Sequence, residues 1–282
     1  YMKKFWKKTS LFLVTAAMTV SAPLMAWALE HDIVILHTND IHCGINDNIG
    51  FAGLAQIKKD ALARTPNVAL VDAGDAIQGA PIGKLSRGLA VVNIMNYLGY
   101  DFCIPGNHEF GYGMDRFLEL VPLQRAGYYC ANFVYAGNNK QVLPGYKIMQ
   151  YEDTKVAFVG ASTPESLTTS TPTFFQNEKG KYIYSFCEDK TGNKLYKQLQ
   201  KNVDKARKDG ADYVFIVGHL GMDGTTPQWS SESVAKNTQG VDAVIDGHSH
   251  ERFTRMVKNK VGKDVLLAQT GTKLKTVGEL VI

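Results

Sequence analysis

Short apolar runs rich in β-branched residues recur along the chain at 32–38 (DIVILHT), 68–72 (VALVD), 101–105 (DFCIP), 213–218 (YVFIVG) and 241–246 (VDAVID). Runs of this length read as buried strands, and each leads into Gly, Asn, Asp or His, so each strand is expected to feed a polar loop. Between them the apolar spacing turns helical at about 52–64 (AGLAQIKKDALAR), 89–99, 113–121 and 191–209. Strand, polar loop, helix and strand in repetition predict an α/β domain. Two stretches break the alternation. Residues 145–160 (GYKIMQYEDTKVAFVG) read as a hairpin turning at Glu152 and Asp153, and 252–257, 264–270 and 276–282 read as a second antiparallel group. The sheets are therefore expected to be mixed. Segment 166–181 (SLTTSTPTFFQNEKGK) is polar without a clear period and is expected to be a long surface loop.

Composition narrows the class without choosing a function. The chain has 282 residues, 45% hydrophobic and 21% charged, which excludes a disordered or fibrous polypeptide. Its 31 Lys and Arg against 27 Asp and Glu suggest a basic protein until the excess is located: Lys3, Lys4, Lys7 and Lys8 account for all of it. The remainder is neutral, so the basic stripe of a nucleic-acid polymer binder is missing. The same Lys-rich start precedes an apolar run at 11–25 and the triplet Ala26, Trp27, Ala28. That three-part pattern reads as a signal peptide over residues 1–28, and a catalytic portion at 29–282 that is periplasmic, in the cell envelope or extracellular. A retained anchor over 9–29 is the rival, but Thr9, Ser10, Thr15, Thr19, Ser21 and Pro23 dilute it, and no stable membrane insertion is expected after cleavage. In an exporting pathway Cys43, Cys103, Cys130 and Cys187 can form up to two disulfides. Their spacing has no zinc-finger regularity, and small buried thiols are the expected state.

Polar clusters stand at the ends of the strands: Asp40 and His42 in HTNDIHCGI, Asp75 in VDAGDAIQG, Asn107 and His108 in GNHEF, His219 in GHLG, and His248 with His250 in DGHSH. Carboxyl ends of strands are where open α/β sheets place their active sites. In an extended chain residues two apart point the same way, so Asp40 with His42, and His248 with His250, would each present two ligands to one centre. Cys43 would be turned away by the same alternation. Each fragment alone has an ordinary reading as a helix cap, a turn or a hydrogen-bonded core residue. Together they supply more carboxylate, amide and imidazole groups than one ion of four to six ligands needs, which points to two metals sharing a carboxylate. A nitrogen and oxygen ligand set suits Mn, Zn, Fe or Co.

In series, the strings HTNDIH, DAGDAIQG, GNHEF, GHLG and GHSH resemble the calcineurin-like metallophosphoesterases, and within them the secreted 5'-nucleotidases and 2',3'-cyclic-nucleotide phosphodiesterases. The resemblance spans 32–282 and implies a four-layer α-β-β-α sandwich with mixed sheets. It implies that Asp40, His42 and His250 bind one divalent metal, that Asn107, His219 and His248 bind the other, and that Asp75 bridges them. His108, with Asn107 beside it, is then catalytic and steadies the phosphoryl group or the leaving oxygen. The implied reaction is attack on phosphorus by a hydroxide that the metals make available at neutral pH, with a small nucleotide as substrate. A nucleotide-sugar or diphosphate hydrolase on the same scaffold, or a non-catalytic metal-bound envelope protein, are the alternatives.

The chain departs from that pattern twice. Family members often read GNHEFD, with the last Asp holding the catalytic histidine in place; here Gly111 stands there, and Asp115 matches a second, helix-starting Asp instead. Either another group supports His108 or turnover is slowed. The family's C-terminal domain, which recognises the base, is expected beyond residue 282.

Overall fold

The computed structural model describes residues 31–222 and 226–282, so the signal-peptide reading of 1–28 lies outside the described residues. In chain order the elements are β1 (Val34–Thr38), α1 (Gly50–Arg64), β2 (Val68–Asp72), α2 (Pro81–Ser86), α3 (Leu89–Leu98), β3 (Phe102–Cys103), α4 (Met114–Leu120), β4 (Val134–Tyr135), β5 (Tyr146–Tyr151) and β6 (Thr154–Ser162). There follow α5 (Ser166–Thr169), β7 (Tyr184–Ser185), α6 (Asn193–Lys208), β8 (Tyr213–His219), α7 (Ser231–Asn237), β9 (Ala243–Ile245), β10 (Arg252–Lys258), β11 (Asp264–Thr270) and β12 (Gly278–Val281).

The strands form a four-stranded sheet in the order β12-β1-β2-β3 and a six-stranded sheet in the order β10-β11-β9-β8-β6-β5, with β4 and β7 paired apart. In the first sheet β1, β2 and β3 are parallel and β12 is antiparallel; in the second β11, β9, β8 and β6 are parallel, flanked by antiparallel β10 and β5. Both sheets are mixed, as the sequence predicts.

The continuous apolar runs follow from burial on both faces. On β1 and β2, Val34, Leu36 and Leu70 pack with Phe51, Leu54 and Ala61 of α1 and Val91, Val92 and Met95 of α3. The alternate residues Ile35, Ala69 and Val71 are equally buried and face the second sheet, where Phe102 lies 5.7 Å from Phe158 of β6, ring centre to ring centre. On the far side Ala157, Val159, Val214, Ile216 and Val244 pack with Leu195, Leu199 and Val203 of α6 and Val234 of α7. The result is helix, sheet, sheet, helix.

The helices end where local chemistry requires. Thr65 precedes Pro66 and is extended, which stops α1. Gly99 adopts φ 67° after α3, a conformation cheap for glycine, and its N–H closes the last turn. In α6 the buried positions Leu195, Leu199, Asn202, Val203 and Ala206 trace one stripe, and Lys205, Arg207 and Lys208 favour its negative end.

Three expectations need correction. The last segment does not join the β10–β11 group: β12 crosses to the first sheet and pairs with β1, Val34 opposite Val281. Segment 166–181 is not simply a surface loop, because it contains α5 and a 3₁₀ turn at Pro172–Phe175 whose Phe175 is fully buried against Phe110 and Phe186. Helices α2 and α7 were not anticipated, being too short to establish a period; Ser230 caps α7 by accepting from the Ser233 N–H at 3.2 Å. All four cysteines are buried free thiols, in line with the expectation. No helix among the described residues is long and apolar enough to cross a membrane.

Two measurements test this packing. Phe175→Ala should cost about 3–5 kcal/mol in denaturant unfolding, whereas a loss under about 1 kcal/mol would return the segment to the surface. His37 of β1 is buried against Gly278, its Nδ1 has no hydrogen-bond partner among the described residues, and burial lowers its pKa from 6.5 to about 4. The imidazole stays neutral in the fold but protonates in the unfolded chain. Stability present above pH 6.5 is therefore lost as pH falls towards 4, by on the order of 3 kcal/mol, and His37→Leu should flatten the stability curve in that window.

Candidate metal centre

The loops after β1, β2, β3 and β9, together with the last residue of β8, carry every candidate residue, and they open at the same edge of the two sheets. Asp40, Asp75 and His219 are fully buried there, His42 and Asn107 nearly so, and His250 is exposed. Two buried carboxylates are costly unless opposite charge or hydrogen bonds meet them.

Each carboxylate is anchored by one oxygen and directed with the other. Asp40 Oδ2 accepts from the His248 N–H at 3.0 Å and from Asn39 Nδ2 at 2.6 Å. Its Oδ1 has no hydrogen-bond partner among the described residues and lies 3.2 Å from His250 Nε2, 3.8 Å from His42 Nε2 and 3.9 Å from His219 Nε2. Asp75 Oδ1 accepts from the His108 N–H at 2.8 Å, while Oδ2 lies 3.1 Å from His219 Nε2 and 3.9 Å from His42 Nε2.

The imidazoles follow the same rule. His219 Nδ1 donates to the Ala73 carbonyl at 2.8 Å and His42 Nδ1 to the Gln78 carbonyl at 3.0 Å. Both rings thus have their Nε2 atoms turned to the carboxylates, the arrangement in which a backbone carbonyl fixes the tautomer of a metal-binding histidine. Burial alone would lower the His219 imidazole, but Asp75 and Asp40 outweigh it and raise its pKa to about 10. Burial opposes ionisation of Asp75 as well, and His219 overcomes it and drives that carboxyl well below the usual range.

Three sets of atoms lie close enough to share an ion: Asp40, His42 and His250; His42, Asp75 and His108; and Asp40, Asp75 and His219. Among the described residues Asn107 Oδ1 is buried without a hydrogen-bond partner, as are Asp40 Oδ1 and His219 Nε2. Buried polar atoms without partners are uncommon, and oxygen and nitrogen donors left so in one cluster fit divalent cations. His248 is set apart from these groupings. Its Nε2 lies 3.2 Å from Glu165 Oε2, leaving Nδ1 as the ring nitrogen it can offer, and its ring stands 5.0 Å from that of His219.

The two-residue spacing works for a different reason from strand alternation. Asp40, His42, Asp75, His248 and His250 all have positive φ, from 48° to 79°. Asp and His tolerate this left-handed region better than most side chains. Tight left-handed turns, not extended chain, aim the groups. Cys43 is also left-handed, and its Sγ is buried against Gly83 of α2. It is kept from the centre, and burial pushes its thiol up to about 12.

Sequence reasoning missed the residues that hold the loops. Glu109 accepts from the N–H groups of Asp75, Ala76 and Gly106 at 2.7–2.8 Å, joining the β2 and β3 loops through one buried carboxylate. Asp246 accepts from Leu220 N–H at 2.9 Å and shapes the turn after His219. Asn39 Oδ1 accepts from Thr270 N–H at 2.9 Å, tying the β1 loop to the end of β11 in the other sheet. Glu109 lies within GNHEF and Asp246 within DGHSH, and that place beside the candidate histidines was the only signal for them. Gln78 Oε1 is hydrogen-bonded to His108 Nδ1; the residue lies within DAGDAIQG, but nothing in that string sets it apart as a partner of the histidine.

The family model described as calcineurin-like phosphoesterase matches residues 33–252. A snake venom 5'-nucleotidase from Gloydius brevicauda is 28% identical over 259 residues, covering 85% of this chain and 40% of its own length. A 2',3'-cyclic-nucleotide 2'-phosphodiesterase/3'-nucleotidase from Haemophilus influenzae is 26% identical, again over 85% of this chain and 40% of its own. Among solved structures, a 5'-nucleotidase precursor from Thermus thermophilus superimposes with a TM-score of 0.74 at 26% identity, over 89% of this chain and 51% of that one. The chain spans about 40% of the length of the curated relatives it matches. With the family match covering most of the described residues and the sandwich fold shared, the chain belongs to the calcineurin-like phosphoesterases.

Proposed function

We propose that residues 29–282 form the catalytic domain of an exported phosphoric ester hydrolase that works with two divalent cations on small nucleotides, nucleoside monophosphates or 2',3'-cyclic nucleotides. The observation that carries this reading is the cluster of buried oxygen and nitrogen atoms, Asp40 Oδ1, Asn107 Oδ1 and His219 Nε2, that have no hydrogen-bond partner among the described residues and lie at the shared edge of the two sheets, with Asp40 Oδ1 3.9 Å from His219 Nε2. In this reading Asp40, His42 and His250 hold one cation, Asn107, His219 and His248 the other, and Asp75 reaches both. Bound there, the cations would polarise phosphate oxygens and lower the pKa of water.

The chain's own residues do the rest. Asp40 and Asp75 keep their directed oxygens fixed because their other oxygens are held by the His248 and His108 N–H groups. The buried carboxylates, His219 and Asn107 exclude bulk water from one side, which strengthens electrostatic contacts to a phosphoryl group. His108 is half-buried at the rim and lines two cavities, of about 640 and 260 Å³. With Nδ1–H held by Gln78, Nε2 is the ring atom that faces the departing oxygen, and a second proton taken up there would be offered to it as the bond to phosphorus breaks.

The metal centre is tested with bis-p-nitrophenyl phosphate, a diester that needs no base pocket, after chelation and then Mn addition to residues 29–282. Activity should return on Mn addition. Asp75→Asn and His219→Ala should each reduce it by more than about 100-fold with circular dichroism unchanged; full activity in either would refute the site. Independently of turnover, Mn at about 100 times its Kd should stabilise the chelated protein by about 2.7 kcal/mol. That gain should disappear in Asp40→Asn, and no gain in the parent would remove the cation reading.

A further inference from the structure

Among the described residues no carboxylate is hydrogen-bonded to His108 Nδ1, and the ring's support comes from the loop after β2. Gln78 serves two rings with two different groups: its backbone carbonyl accepts from His42 Nδ1 at 3.0 Å, and its side-chain Oε1 meets His108 Nδ1. The rings stand edge to face, 5.0 Å apart and 86° inclined. With the amide oxygen as acceptor, the proton sits on Nδ1 and Nε2 is the atom left for a ligand.

Gly111 supplies the second observation. Its φ of −63° and ψ of −16° lie in the helical region open to every L residue, so the backbone gives no reason for glycine there. Gly74 and Gly79, by contrast, have φ of 90° and 156°, where glycine is needed. The constraint at 111 is spatial. A Cβ there would lie 2.6 Å from Gln78 Oε1 and closer still to Cδ and Nε2 of the same amide. Gln78, His108 and Gly111 also line both cavities at the rim, so the pair stands in the wall a substrate would meet.

We propose that Gln78 is the positioning residue for His108 and that Gly111 is its steric counterpart, the amide filling the space that a side chain at 111 would need. The support for His108 therefore comes from the β2 loop, beside Asp75, and not from the turn that follows the histidine. An amide orients the ring without adding a charge, so its effect is on geometry: Nε2 is held towards the departing oxygen. This rests on the reading of His108 as the group that faces the substrate.

The test compares two diesters that differ in leaving group, bis-p-nitrophenyl phosphate and diphenyl phosphate, with the Mn-loaded chain. Phenoxide is the poorer leaving group and needs more help from His108. Gln78→Ala keeps the backbone carbonyl and therefore the His42 contact. It should lower kcat on diphenyl phosphate by about 10- to 100-fold, with a much smaller loss on the nitrophenyl ester and KM little changed. Gly111→Ala should show the same leaving-group-dependent loss by displacing the amide, and Gln78→Glu should restore function by offering the same acceptor. Gln78→Ala/Gly111→Asp should recover most of the rate that Gln78→Ala loses.

A readout independent of turnover is the ¹⁵N shift pair of the His108 ring in the chelated protein. It should report a single Nδ1–H tautomer in the parent and a mixture in Gln78→Ala and Gly111→Ala. An equal loss on both esters, a fully active Gly111→Ala, or an unaltered His108 tautomer in Gln78→Ala would overturn the proposal. If the parent hydrolyses neither ester, the hydrolase reading falls, while the tautomer measurement still decides the role of Gln78.

Discussion

Two carboxylates, Asp40 and Asp75, are buried side by side at the edge of two sheets, and the surrounding architecture is arranged around that fact. Burying an ion costs several kcal/mol even after relaxation, so a pair persists only if the structure supplies hydrogen bonds and opposite charge from fixed directions. Here the hydrogen bonds come from backbone N–H groups of other loops, one from each sheet: His248 for Asp40 and His108 for Asp75. The opposite charge comes from the His219 imidazole, whose far nitrogen is tied to the Ala73 carbonyl and whose pKa the two carboxylates raise. Neither sheet alone can satisfy this cluster. The sandwich brings the loops together, and the hydrophobic faces behind them hold that approach in place.

The loops themselves are strained. Five of the eight candidate residues are left-handed without being glycine, a conformation costing on the order of 1–3 kcal/mol each. Such strain is offset only where neighbouring structure over-determines the backbone. Glu109, with three short N–H bonds across two loops, and Asn39, bridging to Thr270, are the fixtures that do so. Beneath them Phe110 packs against Phe117, Phe133, Phe175 and Phe186, so the turn bearing His108 rests on an aromatic layer.

Much of the fold was legible because parallel strands buried on both faces leave continuous apolar runs, as at VILHT and VALVD. The hairpin at Glu152 was legible because its turn is local, and that residue does adopt φ 49°. The candidate residues were legible as polar clusters at strand ends. What did not show was set by partners distant in sequence. β12 reads like a continuation of its neighbours, and only the open edge of β1 claims it. Phe175 sits among threonines, and its burial depends on rings more than ten residues away. Gln78 has no spacing to mark it, since an amide becomes informative only once the imidazole it touches is in place. The Asp40–His42 spacing singled out two residues that do lie together, but tight left-handed turns and not an extended chain bring them there.

The pairing of β1 with β12 also bears on how the molecule comes into being. β1 is the first described strand to be synthesised and β12 the last, and Val34 faces Val281 across their ladder. At ribosomal rates of ~5–20 residues per second, the earlier strand waits roughly 10–50 s for its edge partner. During that interval an apolar strand presents unpaired N–H and C=O groups, the geometry that invites pairing with another chain. The carboxylate at its end, Asp40, likewise waits for His248 and His250. A nascent chain of this design completes the charge cluster only after the loop that follows β9 and covers the edge of β1 only with β12, so a chain cut short between β1 and β12 leaves β1 as an unpaired edge.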